Sequence, residues 1–431
     1  MNISPYFKNA TWIFTEKFIR IVVTFVLFAS VSKVLGPKEF GLLTFSQTIA
    51  TMLLCISSLG LDNILIHKFT GKDEDDVKLI STAFIARLVI SALVIIITSI
   101  ITLSLSIAVE NKIILIICTT SLVFQTYNTY YSYFQAKLRA LYITKLSFFS
   151  LIITSLIKGY LIYIHADIYW FAISYVLDFA ILFFVFVVAC QIRLIKVRFN
   201  AFRFDELKKL LHLSWPIIVS SIVVVLYTRL DQVMIMKMMG AEAVGVFNVA
   251  IRISEAYIFI PTALATAYYP LISKQSSKEN ICFYFDMVFA SAFFVGIFVI
   301  FGSYFAIPLL FGEAYADAFH VLTVTVISSV FAVFGSACTN VMIIKNLTYM
   351  RLIRAVVGLI INFVLNLFLI PKYGIMGAAY ASLASQIFAS WISNILNAKT
   401  QIYFYYQSRT VITFGVTGIF KFIKDNVSRV S

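Results

Sequence analysis

Seven basic residues (Lys17, Arg20, Arg87, Lys158, Arg229, Arg252 and Arg354) and five acidic ones (Glu16, Asp178, Asp231, Glu255 and Asp286) sit inside otherwise apolar stretches of the chain. A charge in hydrocarbon is costly unless it meets a partner or water, so such groups mark a substrate route, a relay or an ion site by default. The excess of cations points to an anionic cargo. Lys17, Arg87, Asp286 and Arg354 fall within about two turns of the end of a stretch, where a long side chain can snorkel out to the headgroups. Arg20 lies deeper, about 12 Å along its helix at 1.5 Å per residue, which favours a cavity. Arg252 and Glu255 are spaced i, i+3 and can neutralise each other on one helix face, with Arg229 and Asp231 near the end of the preceding stretch. Lys158 should reach a similar depth from the first half of the chain. Cations presented at one level by two halves suit a diphosphate, because Arg grips phosphate through a planar fork and Lys acts as a point charge. Asp178, Asp231 and Glu255 are the acids available for coupling to an ion or for pairing with these cations.

A second chemistry resides in Tyr127-Asn-Thr-Tyr130-Tyr131-Ser-Tyr133-Phe-Gln135, a hydroxyl-rich run inside an apolar segment. Tyr127, Tyr130 and Tyr131 could form a sugar-contacting wall, with rings stacking on pyranose faces and hydroxyls bonding to them; an interfacial aromatic belt explains the same run equally well. Asn362 and Asn366, spaced i, i+4, could join neighbouring helices by hydrogen bonds. The five cysteines and four histidines are scattered and show no metal-ligand spacing. No phosphate-cradling G-x-x-x-x-G-K-[ST] loop is present, and nothing calls for a cofactor.

These residues are positioned by a chain that is 61% hydrophobic and 13% charged, about half the charge of a soluble domain. The apolar residues come in runs long enough to cross a ~30 Å hydrocarbon core. The spans read as 12 to 34, 40 to 62, 80 to 108, 113 to 135, 143 to 164, 168 to 191, 213 to 236, 246 to 272, 282 to 310, 318 to 344, 350 to 370 and 374 to 397. The expected fold is therefore an all-α integral membrane protein of about twelve transmembrane helices. The net charge of +14 is spread between the spans, so it marks topology and lipid headgroups rather than nucleic acid. Of the basic residues outside the spans, 22 fall on one side and five on the other (Lys33, Lys38, Lys112, Lys237 and Lys372). By the positive-inside rule both termini are expected in the cytoplasm.

The basic stretch from Arg193 to Lys209 is the longest polar interruption, and an amphipathic surface helix fits there. It divides the chain into an N-terminal six-helix half (1–192), a linker (193–212), a C-terminal six-helix half (213–397) and a tail (398–431). A repeat supports the halving. Lys33-Val-Leu-Gly36-Pro-Lys-Glu-Phe-Gly41 aligns with Lys237-Met-Met-Gly240-Ala-Glu-Ala-Val-Gly245, 204 residues on, and Ala172-Ile-Ser-Tyr175 aligns with Gly377-Ala-Ala-Tyr380 at an offset of 205. Two pseudo-symmetric six-helix bundles around a central cavity are the expected architecture, since parallel-repeat transporters place their route between the repeats.

Four stretches resemble the Wzx-type polysaccharide flippases of the multidrug, oligosaccharidyl-lipid and polysaccharide exporter superfamily. They are Leu35-Gly-Pro-Lys-Glu-Phe-Gly41, Trp215-Pro216 through Arg229-Leu-Asp231-Gln-Val-Met234, Val244-Gly-Val-Phe to Ile253-Ser-Glu255 with Pro261, and Ile370-Pro-Lys-Tyr-Gly374 to Tyr380. The resemblance implies translocation of undecaprenyl-diphosphate-linked oligosaccharide across a bacterial inner membrane by alternating access, coupled to an ion gradient, for O-antigen or capsule synthesis. It also implies a polymerase and a chain-length regulator as partners, and it carries over to Arg229, Asp231 and Glu255. The rival readings are a drug or cation antiporter of the same superfamily, which should concentrate acids rather than cations, and a flippase for the lipid-linked peptidoglycan precursor. A membrane polymerase or glycosyltransferase would want a long outward loop with paired carboxylates. The acidic run Asp73-Glu-Asp-Asp76 lies on the basic side, beside Lys72 and Lys78, and reads as a solvated loop.

Overall fold

The computed structural model describes residues 5–71, 75–193, 195–345, 347, 349–418 and 420, with backbone only at 5–11, 13 and 191–193. Lys72, Asp73 and Glu74 of the acidic loop and the tail residues Lys421, Lys424 and Arg429 lie outside the described residues, as do the side chains of Lys8 and Arg193. The described chain is helical throughout. Its helices are α1 (Pro5–Ser57), α2 (Asp62–Thr70), α3 (Asp76–Ser104), α4 (Val109–Phe124), α5 (Asn128–Ala136), α6 (Ala140–Tyr163), α7 (Ile168–Arg193), α8 (Phe204–Met239), α9 (Ala241–Tyr257), α10 (Phe259–Lys274), α11 (Lys278–Phe311), α12 (Ala318–Ile344), α13 (Tyr349–Tyr373), α14 (Ile375–Ser390) and α15 (Gln401–Ile412).

Eleven helical stretches are long and apolar enough to cross a bilayer, and the first of them, Phe14–Ser57, has 44 residues. At 1.5 Å per residue that is about 66 Å, twice the hydrocarbon thickness. Gly36, at φ 71°, ψ 170°, divides α1 into two arms, with Pro37 opening the second, where its missing N–H costs nothing. The result is twelve crossings, as the sequence leads one to expect, and the protein is a multi-pass membrane protein. Gly240, the repeat partner of Gly36, opens α9 at φ 92°, ψ −176°. The aligned motifs thus place glycine where the same left-handed backbone is needed in both halves.

Three crossings are interrupted. The second breaks at Ser58–Leu61 before resuming as α2, the fourth passes through a 3-10 turn at Gln125–Tyr127 between α4 and α5, and the eighth breaks at Ile258 between α9 and α10. Irregular backbone at membrane depth is tolerated only where protein or a polar cavity satisfies it, so these breaks point to where the polar side chains must be.

The chain divides into two compact units, Met1–Val225 and Leu226–Ser431, the division falling within α8. In the first unit α1 packs on α3, α4, α6 and α7, and α2 packs on α5. Its core gathers Leu61, Leu65, Phe69, Phe84, Phe134 and Phe186. In the second unit α12 packs on α9, α11 and α14, and α13 lies against α14, around Phe285, Phe289, Phe334 and Val333. The outward faces are apolar too. Phe298, Phe301, Phe305 and Leu309 form an exposed i, i+3, i+4 stripe along α11, which only lipid can cover.

Candidate functional site

In the first unit, Arg20 on α1 donates from Nε to Glu16 Oε1 one turn earlier at 2.7 Å and from Nη2 to the Ser147 carbonyl of α6 at 3.4 Å. Glu16 is buried while Arg20 keeps 31% side-chain exposure. The hydroxyl-rich run is divided by its own helical phase. Tyr127 and Tyr131, i and i+4, lean on Phe186 with ring centroids at 5.5 and 6.4 Å and lie within electrostatic range of Glu16 and Arg20. Tyr130 is buried against Phe84 at 5.4 Å and Tyr133 against Phe69 at 5.2 Å, so these two rings belong to the core. Farther along, Lys158 of α6 and Asp178 of α7 form an ion pair with side chains 19% and 26% exposed.

In the second unit, Arg229 of α8 meets Glu255 of α9 at 2.9 Å, and Arg252 reaches the other carboxylate oxygen of Glu255 at 3.8 Å. One carboxylate therefore sits between two guanidinium groups. Asp231, two residues after Arg229 and on the other face of α8, is buried. Its Oδ1 accepts from Asn362 Nδ2 at 2.9 Å and Asn366 Nδ2 at 2.6 Å, and its Oδ2 accepts from the Ser382 hydroxyl. Among the described residues no cation pairs with it. Asn366 is fully buried, and among the described residues its Oδ1 has no donor, leaving an orphan acceptor on the amide whose nitrogen holds the carboxylate.

Arg20, Lys158, Arg229 and Arg252 thus each have a carboxylate partner, which an inventory of basic residues along the sequence does not show. Three residues read as snorkelling are not. Arg87 is 2% exposed and ties the break in the second crossing: it donates to the Ser58 carbonyl at 3.1 Å, to Asp62 Oδ1 at 2.7 Å and to Thr129 Oγ1 at 3.2 Å. A cavity of about 10 Å³, lined by Ser57, Ser58, Ser91, Gln125 and Thr126, adjoins it and has room for one water. Asp286 is fully buried on α11, accepting from Arg409 Nη2 at 2.6 Å and Thr410 Oγ1 at 2.6 Å, both on α15. Arg354, also buried, donates to the carbonyls of Ala389 (2.6 Å), Ser390 (3.1 Å) and Gly335 (3.2 Å). Ala389 and Ser390 carry the last carbonyls of α14, the negative end of that helix, Gly335 lies within α12, and no carboxylate pairs with Arg354 among the described residues. The sequence placed all three near helix ends, where snorkelling is the usual outcome; the contacts that hold them inward come from residues 19 to 124 positions away.

The arrangement can do two things chemically. Partly exposed ion pairs can exchange a carboxylate for another anion, since Arg and Lys bind phosphate oxygens with the same donors. A buried carboxylate held only by neutral donors, beside an orphan carbonyl oxygen, offers oxygen ligands to a proton or a small cation.

Residues 6–276 match the family described as polysaccharide biosynthesis protein. An uncharacterised membrane protein of Methanocaldococcus jannaschii is 28% identical over 211 residues, 47% of this chain and 49% of that protein. A probable low-salt glycan biosynthesis flippase of Haloferax volcanii, Agl15, is 24% identical over 215 residues, 46% of this chain and 44% of its own length. The matches therefore span about half the length of these curated relatives. Among solved structures, the lipid II flippase MurJ in an inward closed conformation superposes with a TM-score of 0.76 at 14% identity, covering 96% of this chain and 99% of that one. The fold is thus shared with that flippase, and the family match, which runs over more than half of the sequence, establishes that this chain belongs to the polysaccharide biosynthesis protein family.

Proposed function

We propose that the protein flips a polyprenyl-diphosphate-linked oligosaccharide across its membrane by alternating access. The observation that carries the reading is the set of ion pairs inside the spans in which at least one partner is partly exposed: Arg20 with Glu16, Lys158 with Asp178, and Arg229 and Arg252 with Glu255. An ion pair facing lipid gains nothing from exposure. One that faces a polar route can release its carboxylate when a diphosphate arrives, so the cation's desolvation is never left uncompensated. Tyr127 and Tyr131, beside Arg20, supply aromatic faces and hydroxyls for the first sugar. The Haloferax relative described as a glycan biosynthesis flippase supports a glycan cargo, and the fold shared with a lipid II flippase supports a lipid-linked one.

Asp231 is the proposed coupling group. With its charge held by amides and a hydroxyl alone, it gains from taking up a proton or a small cation, and the Asn366 Oδ1 orphan is placed to join in binding the ion. On this reading the basic side faces the cytoplasm with both termini, the repeat unit moves from the cytoplasmic to the outer leaflet of a bacterial inner membrane, and a polymerase with its chain-length regulator receives it. Residues 1–192 and 213–397 are the two moving halves, joined by the linker 193–212.

The test is translocation in proteoliposomes of a fluorescent undecaprenyl-diphosphate oligosaccharide, with a dolichyl-linked analogue, the lipid-linked peptidoglycan precursor and a lipophilic cation in parallel. Flipping of a polyprenyl-linked oligosaccharide is the expected result. Movement of the precursor alone would reassign the cargo, and movement of the lipophilic cation alone would favour an exporter.

A further inference from the structure

The chain between α7 and α8 is fastened down. Ile195 is buried in the core of the first unit and Val197 packs beside it, while Lys196 and Arg198 point outward in extended alternation. The Arg198 backbone N–H donates to Ser81 Oγ at 3.0 Å and the Arg203 N–H to Thr82 Oγ1 at 3.2 Å, both on α3. α8 then turns Leu207, Leu210 and Leu211 into the same core. These fastenings force Phe199 (76% exposed) and Phe204 (70%) outward, in the company of Lys196, Arg198, Arg203 and Lys208, all exposed. The segment also carries two acids, Asp205, which is exposed, and Glu206, which is held by Lys68 at 3.0 Å, so the four cations outnumber the one acid left without that tie.

Two helices give the depth of this strap. Ser81 and Thr82 precede Val89, the first strongly exposed apolar residue of α3, by seven or eight residues. Ile195 follows Val188, the last such residue of α7 among those whose side chains are described, by seven, and its N–H still bonds the Cys190 carbonyl at 3.1 Å. Both intervals are about 10 Å at 1.5 Å per residue, which places the strap at the level of the headgroup layer outside the ~30 Å core. Aromatics at that level insert at the hydrocarbon boundary and cations bind lipid phosphates. Core packing accounts for neither outward phenylalanine.

We propose that residues 195–209 form a binding site for anionic phospholipid on the membrane face that carries the basic loops, with Phe199 and Phe204 inserted below the phosphates and Lys196, Arg198, Arg203 and Lys208 bound to them. The strap serves the bilayer's own lipids, so it is independent of the cargo and of the flipping reaction. The test places a nitroxide at Phe199→Cys in a Cys55→Ser background, the other four cysteines being buried, in the full chain reconstituted into phosphatidylcholine with or without phosphatidylglycerol. Relative accessibility to oxygen and to a nickel chelate reads depth. The expected result is a label several-fold more accessible to oxygen than to the chelate when phosphatidylglycerol is present, and shallower without it. Lys196→Gln/Arg198→Gln/Arg203→Gln/Lys208→Gln should abolish the difference between the two bilayers. A label equally aqueous in both bilayers would overturn the insertion, and one equally deep in both would overturn the selectivity for anionic lipid. The comparison of bilayers on the singly labelled protein decides the matter even if the fourfold variant fails to fold.

Discussion

The two units differ in how they hold their buried charges. In the first, Glu16 pairs with Arg20, Asp62 with Arg87 and Lys158 with Asp178. In the second, Asp286 is paired with Arg409, but the also buried Asp231 and Arg354 are held, among the described residues, by neutral groups. A pair is electrically closed, so it can open only if another ion replaces one member. A lone charge among dipoles responds to titration or to ion binding. On the proposed function, the exchangeable pairs of both units would contact the cargo and the ion response would fall to the second unit.

The comparison breaks most visibly at Arg354. Removing it by Arg354→Leu deletes three charge-assisted hydrogen bonds to the carbonyls of Ala389, Ser390 and Gly335, each worth about 1.5–3 kcal/mol, although those carbonyls keep side-chain donors in Ser393, Gln407 and Thr339. We expect a loss of roughly 3 kcal/mol or more, read as a large fall in thermal midpoint in detergent, with Arg354→Lys recovering only part of it because an ammonium lacks the planar fork. Asp231→Asn should do the reverse. It removes an unpaired buried charge while keeping an acceptor for Asn362 and Asn366, so the thermal midpoint should hold or rise, whereas acceleration of flipping by an imposed ion gradient should vanish. A gradient response that survives in Asp231→Asn would remove ion coupling from this residue.

Lys158 and Asp178 should give a smaller stability effect, because both side chains are partly exposed. A double-mutant cycle with Lys158→Gln and Asp178→Asn should return a coupling of about 1 kcal/mol at most, even though flipping in Lys158→Gln falls steeply. A coupling of several kcal/mol would make the pair a structural tie instead. The smallest effect belongs to Asp75, outside the spans, which caps α3 by accepting from the Val77 and Lys78 N–H groups at 3.1 and 3.3 Å. The side-chain bond from Lys78, followed by those backbone bonds, holds its carboxyl below the ordinary value. Its contribution is therefore present above the usual carboxylate range and is lost as pH falls through the lowered value. Amide exchange in the first turn of α3 should accelerate in Asp75→Ala at neutral pH and match the parent in strong acid.

The twelve crossings and the glycine repeat were legible because they are local: a run length against a bilayer thickness, and a turn that needs a left-handed residue. The 44-residue first stretch reads as two spans because of Gly36-Pro37. The pairing of charges was less legible. Arg252 with Glu255 could be read from i, i+3 spacing, but Lys158 meets Asp178 across two helices, and Arg229 takes the Glu255 oxygen at the shorter distance. Arg354 was misread because its partners are backbone carbonyls, which no residue type reveals. Tyr130 was grouped with Tyr127 and Tyr131 by composition, yet its helical phase carries it into the core. Asn362 and Asn366 do join helices, and the group they hold is Asp231.

The most direct measurement of the central claim is flipping of a labelled undecaprenyl-diphosphate oligosaccharide in proteoliposomes by the parent protein, Lys158→Ala and Arg229→Ala at matched reconstitution. If the exchangeable pairs of both units carry the cargo, the parent flips the lipid and both variants lose at least about tenfold in rate, the equivalent of one charge-assisted phosphate contact. Parent-like flipping in both variants would contradict that account and leave these ion pairs as structure alone.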